Sequence, residues 1–309
     1  MTFFRLTALQ IANKHPVNPV EKKTVVITGA SSGIGLSAAI ALAKTGWRVI
    51  CAVRNVEKMN KAVQQLGPIA PGTLESMELD LASFESVKMF ATTLLKREDV
   101  TRIDALLLNA GLGAQWSQTK NGYEQGFQSC HLAHHLLVRL LEQRLIESAP
   151  SRVVVVASHA HKTAPSKYDW PEEGHKGFHS DSHKGFSVPF QYATSKLANL
   201  HFATILGKRF QGKGVSVMSL HPGVVNSNLW PWWMIGRSLY MLNTEEGAAT
   251  SVMLVVDPRF NDKNYPVGTY WCPSFMGEPH QETPTSLARN EQVAQQLWDV
   301  TENIVAPYL

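Results

Sequence analysis

A doubly wound α/β domain is what this chain predicts, on three observations. Short apolar runs alternate with longer stretches of helical spacing. Most of the runs are dominated by apolar residues, as strands buried on both faces are. A glycine-rich turn joins the first run to the first helix, the context that gives such a turn meaning.

The elements follow in order. Lys23–Thr28 (KTVVIT) is β-branched, short and followed by Gly, which predicts a buried strand. The stretch LSAAIALAKTG after the glycine turn predicts the first helix of the domain. Further strands are expected at Arg48–Val53, Leu74–Leu79, Asp104–Asn109, Arg152–Ser158, Val215–Leu220 and Val267–Trp271. Phe84, Val87, Phe90, Ala91, Leu94 and Leu95 recur at helical spacing, with Ser83 as N-cap. Thr244, Glu245 and Glu246 open another helix that stops before Pro258. Strand and helix in alternation imply a parallel sheet of about seven strands with helices on both faces. No repeat or Pro/Gly-rich linker divides it. We expect an N-terminal arm over 1–22 and one domain over 23–309. A stretch near 159–189, rich in His, Ser, Gly and Lys, reads as an insertion.

Composition narrows the function. The 309 residues carry 29 Lys plus Arg against 25 Asp plus Glu, a net charge of +4. Hydrophobic residues make up 44% and charged ones 17%, against about 25% charged in an average globular chain. That excludes a disordered protein and a nucleic-acid binder driven by bulk charge. Cys51, Cys130 and Cys272 suit neither a disulfide framework nor a zinc motif. A reducing, intracellular setting is the default, cytoplasmic unless the N-terminus, which has no acidic residue before Glu21, directs the chain to a plastid or mitochondrion. No run of 18 apolar residues is present to span a membrane.

Glycines at Gly29, Gly33 and Gly35, with Ala30, Ser31, Ser32 and Ile34 between them, permit a tight turn and close approach of backbone to a pyrophosphate. The helix that follows offers oriented N–H groups and partial positive charge. This is a Rossmann-type dinucleotide site. The second strand ends at Val53-Arg54-Asn55, where an NAD-selective fold usually places an acid. Arg54 stands there instead and can pair with a 2′-phosphate, which favours NADP(H).

Further motifs succeed one another: TGASSGIG, Asp80-Leu81, Asn109-Ala110-Gly111, Ser158, Tyr192-Ala-Thr-Ser-Lys196 and His221-Pro222-Gly223. In this order they resemble the short-chain dehydrogenase/reductases from about residue 23 onward. KKTVVITGASSGIGL, LDLASFESV, HPGVV and LWDVTENIV look most like the branch of protochlorophyllide reductases and retinol dehydrogenases. The resemblance implies Tyr192 as proton donor, Lys196 beside it and on the nicotinamide ribose, and Ser158 on the substrate oxygen. It implies adenine contacts from Asp80 and Leu81, cofactor contacts from Asn109, Ala110 and Gly111, and a nicotinamide-side loop of Pro222, Gly223, Val225 and Ser227. Independently, Tyr192 and Lys196 lie four apart on one helix face. A neighbouring ammonium lowers a phenol pKa from its usual value of about 10.

Two positions depart from that family's pattern. Cys130 stands where relatives carry an Asn that supports a proton-relay water; a buried, inert thiol is expected there, its carbonyl able to hold the water, with slower turnover or a relay through His131 or His134 as the alternatives. Ala198 stands where protochlorophyllide reductases carry a Cys, closer to the retinol dehydrogenase-like pattern.

His175, His179 and His183 are spaced by four, with His159 and His161 nearby. The glycines among them argue against one helix face, and no metal is expected. Of eight tryptophans, Trp230, Trp232 and Trp233 fall in one loop after the sixth strand. Ligands of open α/β folds bind beyond the carboxyl ends of strands, so this loop is expected to border a bulky hydrophobic substrate. The same residues suit a peripheral membrane contact or a homo-oligomer interface.

The reading is an NADP(H)-dependent oxidoreductase reducing a carbonyl, or oxidising the alcohol, of a small-molecule substrate that is bulky and hydrophobic. The alternatives are reduction of a conjugated C=C as in protochlorophyllide reductases, or a weakly catalytic NADP-binding sensor or scaffold.

Overall fold

Strands β1 (Thr24–Thr28), β4 (Ala105–Leu108), β5 (Ser151–Val156) and β6 (Val215–Leu220) are buried at every position. A strand exposes successive side chains on opposite faces, so burial at every position requires cover on both. The computed structural model shows that cover. It describes residues 5–18, 20–113, 117–171, 188–226, 241–262, 264–274 and 276–309.

Helices α2 (Gly33–Lys44), α3 (Val56–Leu66), α4 (Phe84–Leu95), α6 (Ala133–Glu147), α7 (Val188–Phe210), α8 (Thr244–Val256) and α9 (Glu291–Val305) flank the sheet. A short α1 (Ala8–Ala12) precedes them, and a single turn α5 (Gln125–Phe127) runs through a π turn into α6. Neighbouring strand residues part into two cores. Val26, Leu106, Val153 and Val155 join α4, α6, α7 and α9 on one face. Val25, Ile27, Leu107 and Val154 join α1, α2 and α8 on the other.

Among the described residues eight strands run in the order β3-β2-β1-β4-β5-β6-β7-β8, where β2 is Arg48–Val53, β3 Thr73–Glu78, β7 Thr269–Cys272 and β8 His280–Glu282. All neighbours are parallel except β7 and β8. The sequence predicts about seven strands. The eighth is three residues long, exposed and polar, and has no strand-like pattern. The chain passes from β1 outward to β3, then back to β4 on the other side of β1. That reversal leaves a crevice beyond the carboxyl ends of β1 and β4.

The caps explain several boundaries. Ser83 accepts from the Ser86 amide at the start of α4, as its position predicts. α8 starts at Thr244, as expected, with Asn243 as its N-cap in a capping box with Glu246. In the N-terminal segment, Ala8, Ile11 and Ala12 are buried in the core that contains α2 and α8. No helix among the described residues is long and apolar enough to cross a membrane.

Candidate active site

A cavity of about 420 Å³ occupies the crevice. Gly29, Ser31, Ser32, Gly33, Ile34 and Gly35 line it, together with Arg54, Asp80, Leu81, Asn109, Ala110, Gly111, Tyr192, Lys196 and Pro222. Residues from six separate segments therefore meet in one place.

The glycine turn has no room for side chains. Gly29 has φ +68°, and a Cβ there would stand 2.9 Å from Ala110 Cα. A Cβ at Gly35 would stand 2.5 Å from both the Gly29 carbonyl oxygen and Asn109 Nδ2. α2 thus starts against the ends of β1 and β4 because these positions are bare. Its N-cap, Ser32, makes no side-chain cap hydrogen bond, so the Ser32 hydroxyl leaves the first-turn amides uncapped, and the first-turn residues Gly33, Ile34 and Gly35 line the cavity. An uncapped helix N-terminus in a concave site suits an anion, and a pyrophosphate fits both the charge and the bare backbone.

Arg54 is exposed at the end of β2 and lines the same cavity. Lys58 joins it from the first turn of α3, whose N-cap Asn55 accepts from the Lys58 amide. Sequence reading missed Lys58; its spacing four residues after Arg54, across a helix start, was the available signal. Two cations at a helix N-terminus form a site for a second anion. Asp80 is held by the Ser86 hydroxyl at its amide and caps the Ala82 amide with Oδ1.

At the other end stand Tyr192 and Lys196, on the first half of α7. Lys196 is 2% exposed and its Nζ donates to the Val156 carbonyl at 3.0 Å. That ammonium lies 5.5 Å from the centroid of the Tyr192 ring. Asn199, a turn further on, donates to the same carbonyl. Burial pushes the Tyr192 phenol above its usual value; the Lys196 charge and the Ser158 hydroxyl pull it back down without prevailing. The sequence expectation, taken from the lysine alone, has the opposite sign because it cannot see that burial. Ser158, two residues past the end of β5, caps a 3-10 turn, His159–Thr163, and its Oγ accepts from the Ala160 amide at 3.1 Å.

Not every sequence candidate lines the cavity. Ser158 reaches it through Tyr192. Gly223, φ +91°, lies against Leu242, and Val225 pairs with Leu242 and packs on Gly247 of α8. Asn109 lines the cavity while its Nδ2 donates to the Thr28 carbonyl at 2.9 Å, tying β4 to β1. Ser227, Trp230, Trp232 and Trp233 lie outside the described residues, as do His175, His179 and His183. Leu112, Gly113, Gln125, Ser129, Val156 and Ala157 line the cavity without having been singled out.

The π turn Gln128–Leu132 carries Cys130, fully buried. Its carbonyl accepts from His134 Nδ1 at 3.1 Å, while His134 Nε2 meets Thr28 Oγ1 at 2.9 Å. Thr28 Oγ1 also accepts the amides of Asn109 and Ala110, both at 3.0 Å. One tautomer satisfies all four groups: Nδ1–H donates to Cys130, and the Thr28 hydroxyl donates to Nε2. His134 therefore ties the π turn to the cavity floor. His131 instead meets Thr301 of α9 at 3.2 Å.

Burial lowers the His134 pKa to about 3, against about 6.5 in an unfolded chain. The unfolded chain thus binds the proton first, and stability falls as pH drops from about 6.5 towards 3. His134 alone removes about 2 kcal/mol between pH 7 and pH 5. Buried His131 and His135 act in the same direction. Denaturant midpoints at the two pH values measure this; equal midpoints contradict it.

Comparison with known proteins agrees with this geometry. The short chain dehydrogenase profile matches residues 23–168. Retinol dehydrogenase 14 of Mus musculus is 36% identical over 305 residues, spanning 92% of this chain and 86% of that protein. Retinol dehydrogenase 11 of Homo sapiens is 34% identical over 291 residues, spanning 90% and 84%. The crystal structure of an uncharacterized protein from Mycobacterium Paratuberculosis shares 27% identity and a TM-score of 0.75, spanning 98% of each chain.

Proposed function

The chain belongs to the short chain dehydrogenase family, in its retinol dehydrogenase-like branch, and from that premise we propose an NADP(H)-dependent oxidoreductase that interconverts a carbonyl and an alcohol on a bulky hydrophobic substrate. The observation that carries this reading is the single cavity with Arg54 and Lys58 at one end and Tyr192 and Lys196 at the other. NADP(H) is the hydride carrier when bound. Its pyrophosphate would rest on the amides of the glycine turn and its 2′-phosphate between Arg54 and Lys58. Asp80 and Leu81 would flank the adenine.

The chain's own residues then handle orientation and the proton. The Ser158 hydroxyl holds the substrate oxygen beside Tyr192. The Tyr192 phenol gives its proton to that oxygen in reduction and, as phenolate, takes it back in oxidation. Lys196, fixed by the Val156 carbonyl, keeps positive charge beside the phenol so that the phenolate is not stranded in a buried site.

The names of the similar proteins make retinal and retinol the first substrates to try, and the run of Trp230, Trp232 and Trp233 suits a long apolar chain. Ala198, fully buried among core residues, does not line the cavity and offers no acid for reduction of a conjugated C=C. The test is NADPH consumption against a panel of aldehydes and ketones graded in apolar length. The expected result is kcat/KM rising with apolar size and exceeding that for small polar carbonyls. Equal rates across the panel contradict the substrate class. Tight NADPH binding with no turnover of any member favours a sensor or scaffold.

A further inference from the structure

Beside the catalytic serine, and apart from the hydride chemistry, three potential metal ligands converge. His159 follows Ser158 in the 3-10 turn, Cys272 ends β7 and Glu282 ends β8. β7 and β8 are antiparallel, with Tyr270 opposite Glu282 and Cys272 opposite His280. Cys272 and Glu282 are therefore diagonal neighbours on one sheet face. His159 Nε2 lies 3.3 Å from Cys272 Sγ and 3.2 Å from Glu282 Oε2. All three ligand atoms lie within 4.8 Å of one another.

We propose that His159, Cys272 and Glu282 bind a divalent metal ion, with Zn(II) the species the donor set fits. With bond lengths near 2.0 Å to nitrogen and oxygen and 2.3 Å to sulfur, a tetrahedral ion separates its N and O ligands by about 3.3 Å and its N and S ligands by about 3.5 Å. The observed 3.2 and 3.3 Å are close to those edges. Mixed N, S and O donors suit Zn(II) better than the hard cations Mg(II) and Ca(II), which take oxygen sets. The charges also balance. Binding displaces the thiol proton to solvent, and one thiolate plus one carboxylate neutralise the ion. His159 and Glu282 side chains are 38% and 30% exposed, which gives an entry path and leaves the fourth position to water. His280 Nε2, 3.3 Å from Glu282 Oε1, orients the carboxylate from behind. The His159 ring is held by stacking on His221, with centroids 4.0 Å apart. An ion here would anchor the turn that begins at Ser158.

The test is titration of the 309-residue chain with Co(II), followed by the thiolate-to-cobalt charge-transfer absorption. Saturation at one equivalent and displacement by Zn(II) are expected. Cys272→Ser abolishes that absorption. Glu282→Gln retains it but weakens binding by at least about tenfold, the loss that even outer ligand supports produce. No charge-transfer absorption at stoichiometric Co(II) overturns the proposal. So does absorption that persists in a folded Cys272→Ser protein, which assigns it to Cys51 or Cys130. Should Cys272→Ser fail to fold, unchanged affinity in Glu282→Gln decides against the site.

Discussion

Tyr192→Phe lowers kcat for carbonyl reduction by about 10²–10⁴-fold, the usual contribution of a positioned acid, and leaves NADPH affinity within about twofold. The substitution removes one hydroxyl and keeps the ring that Lys196 faces at 5.5 Å. The pH profile of the parent enzyme follows from the same site. Burial holds the phenol above its usual value, so the proton donor stays protonated through neutral pH. The reductive rate is therefore flat there, and its alkaline fall lies higher than an ordinary phenol would place it. A fall near pH 7 assigns the proton to another group. Turnover that survives Tyr192→Phe removes Tyr192 from the mechanism.

The second large effect is on cofactor choice. Arg54→Ala weakens NADPH by about 10- to 100-fold, as loss of charged hydrogen bonds worth about 1.5–3 kcal/mol requires. NADH, with a hydroxyl in place of the phosphate, changes little. Lys58→Ala acts in the same direction, and the double variant loses more than either alone. Binding titrations with both nucleotides measure this. Equal losses for NADPH and NADH place Arg54 outside the phosphate site.

The fold was legible because its central strands are short runs rich in β-branched and other apolar residues. β1, β4, β5 and β6 are each a run that no amphipathic helix would carry, and each is buried throughout. β8 was not legible, since pairing with β7 rather than its own residues makes it a strand. The glycine turn, Arg54, Tyr192 and Lys196 were visible because their spacing is local. What long-range packing decides was hidden. The sign of the Tyr192 shift depends on the walls around it. The link from Cys130 through His134 to Thr28 spans about a hundred residues of chain. His159 meets Cys272 and Glu282 across 113 and 123 positions, so no spacing rule marks them as ligands. Ser227 and the tryptophan loop stand outside the described residues and keep the status of sequence expectations.

The most direct test of the central reading follows the hydride itself. NADPH carrying deuterium at the transferable position of nicotinamide C4 is incubated with retinal and the protein in ordinary water. The predicted product is retinol with one deuterium on the carbinol carbon. Deuterium on a chain or ring carbon with the aldehyde intact would mean C=C reduction. Retinol formed without the label, or no labelled product from retinal or any hydrophobic carbonyl, would contradict the account.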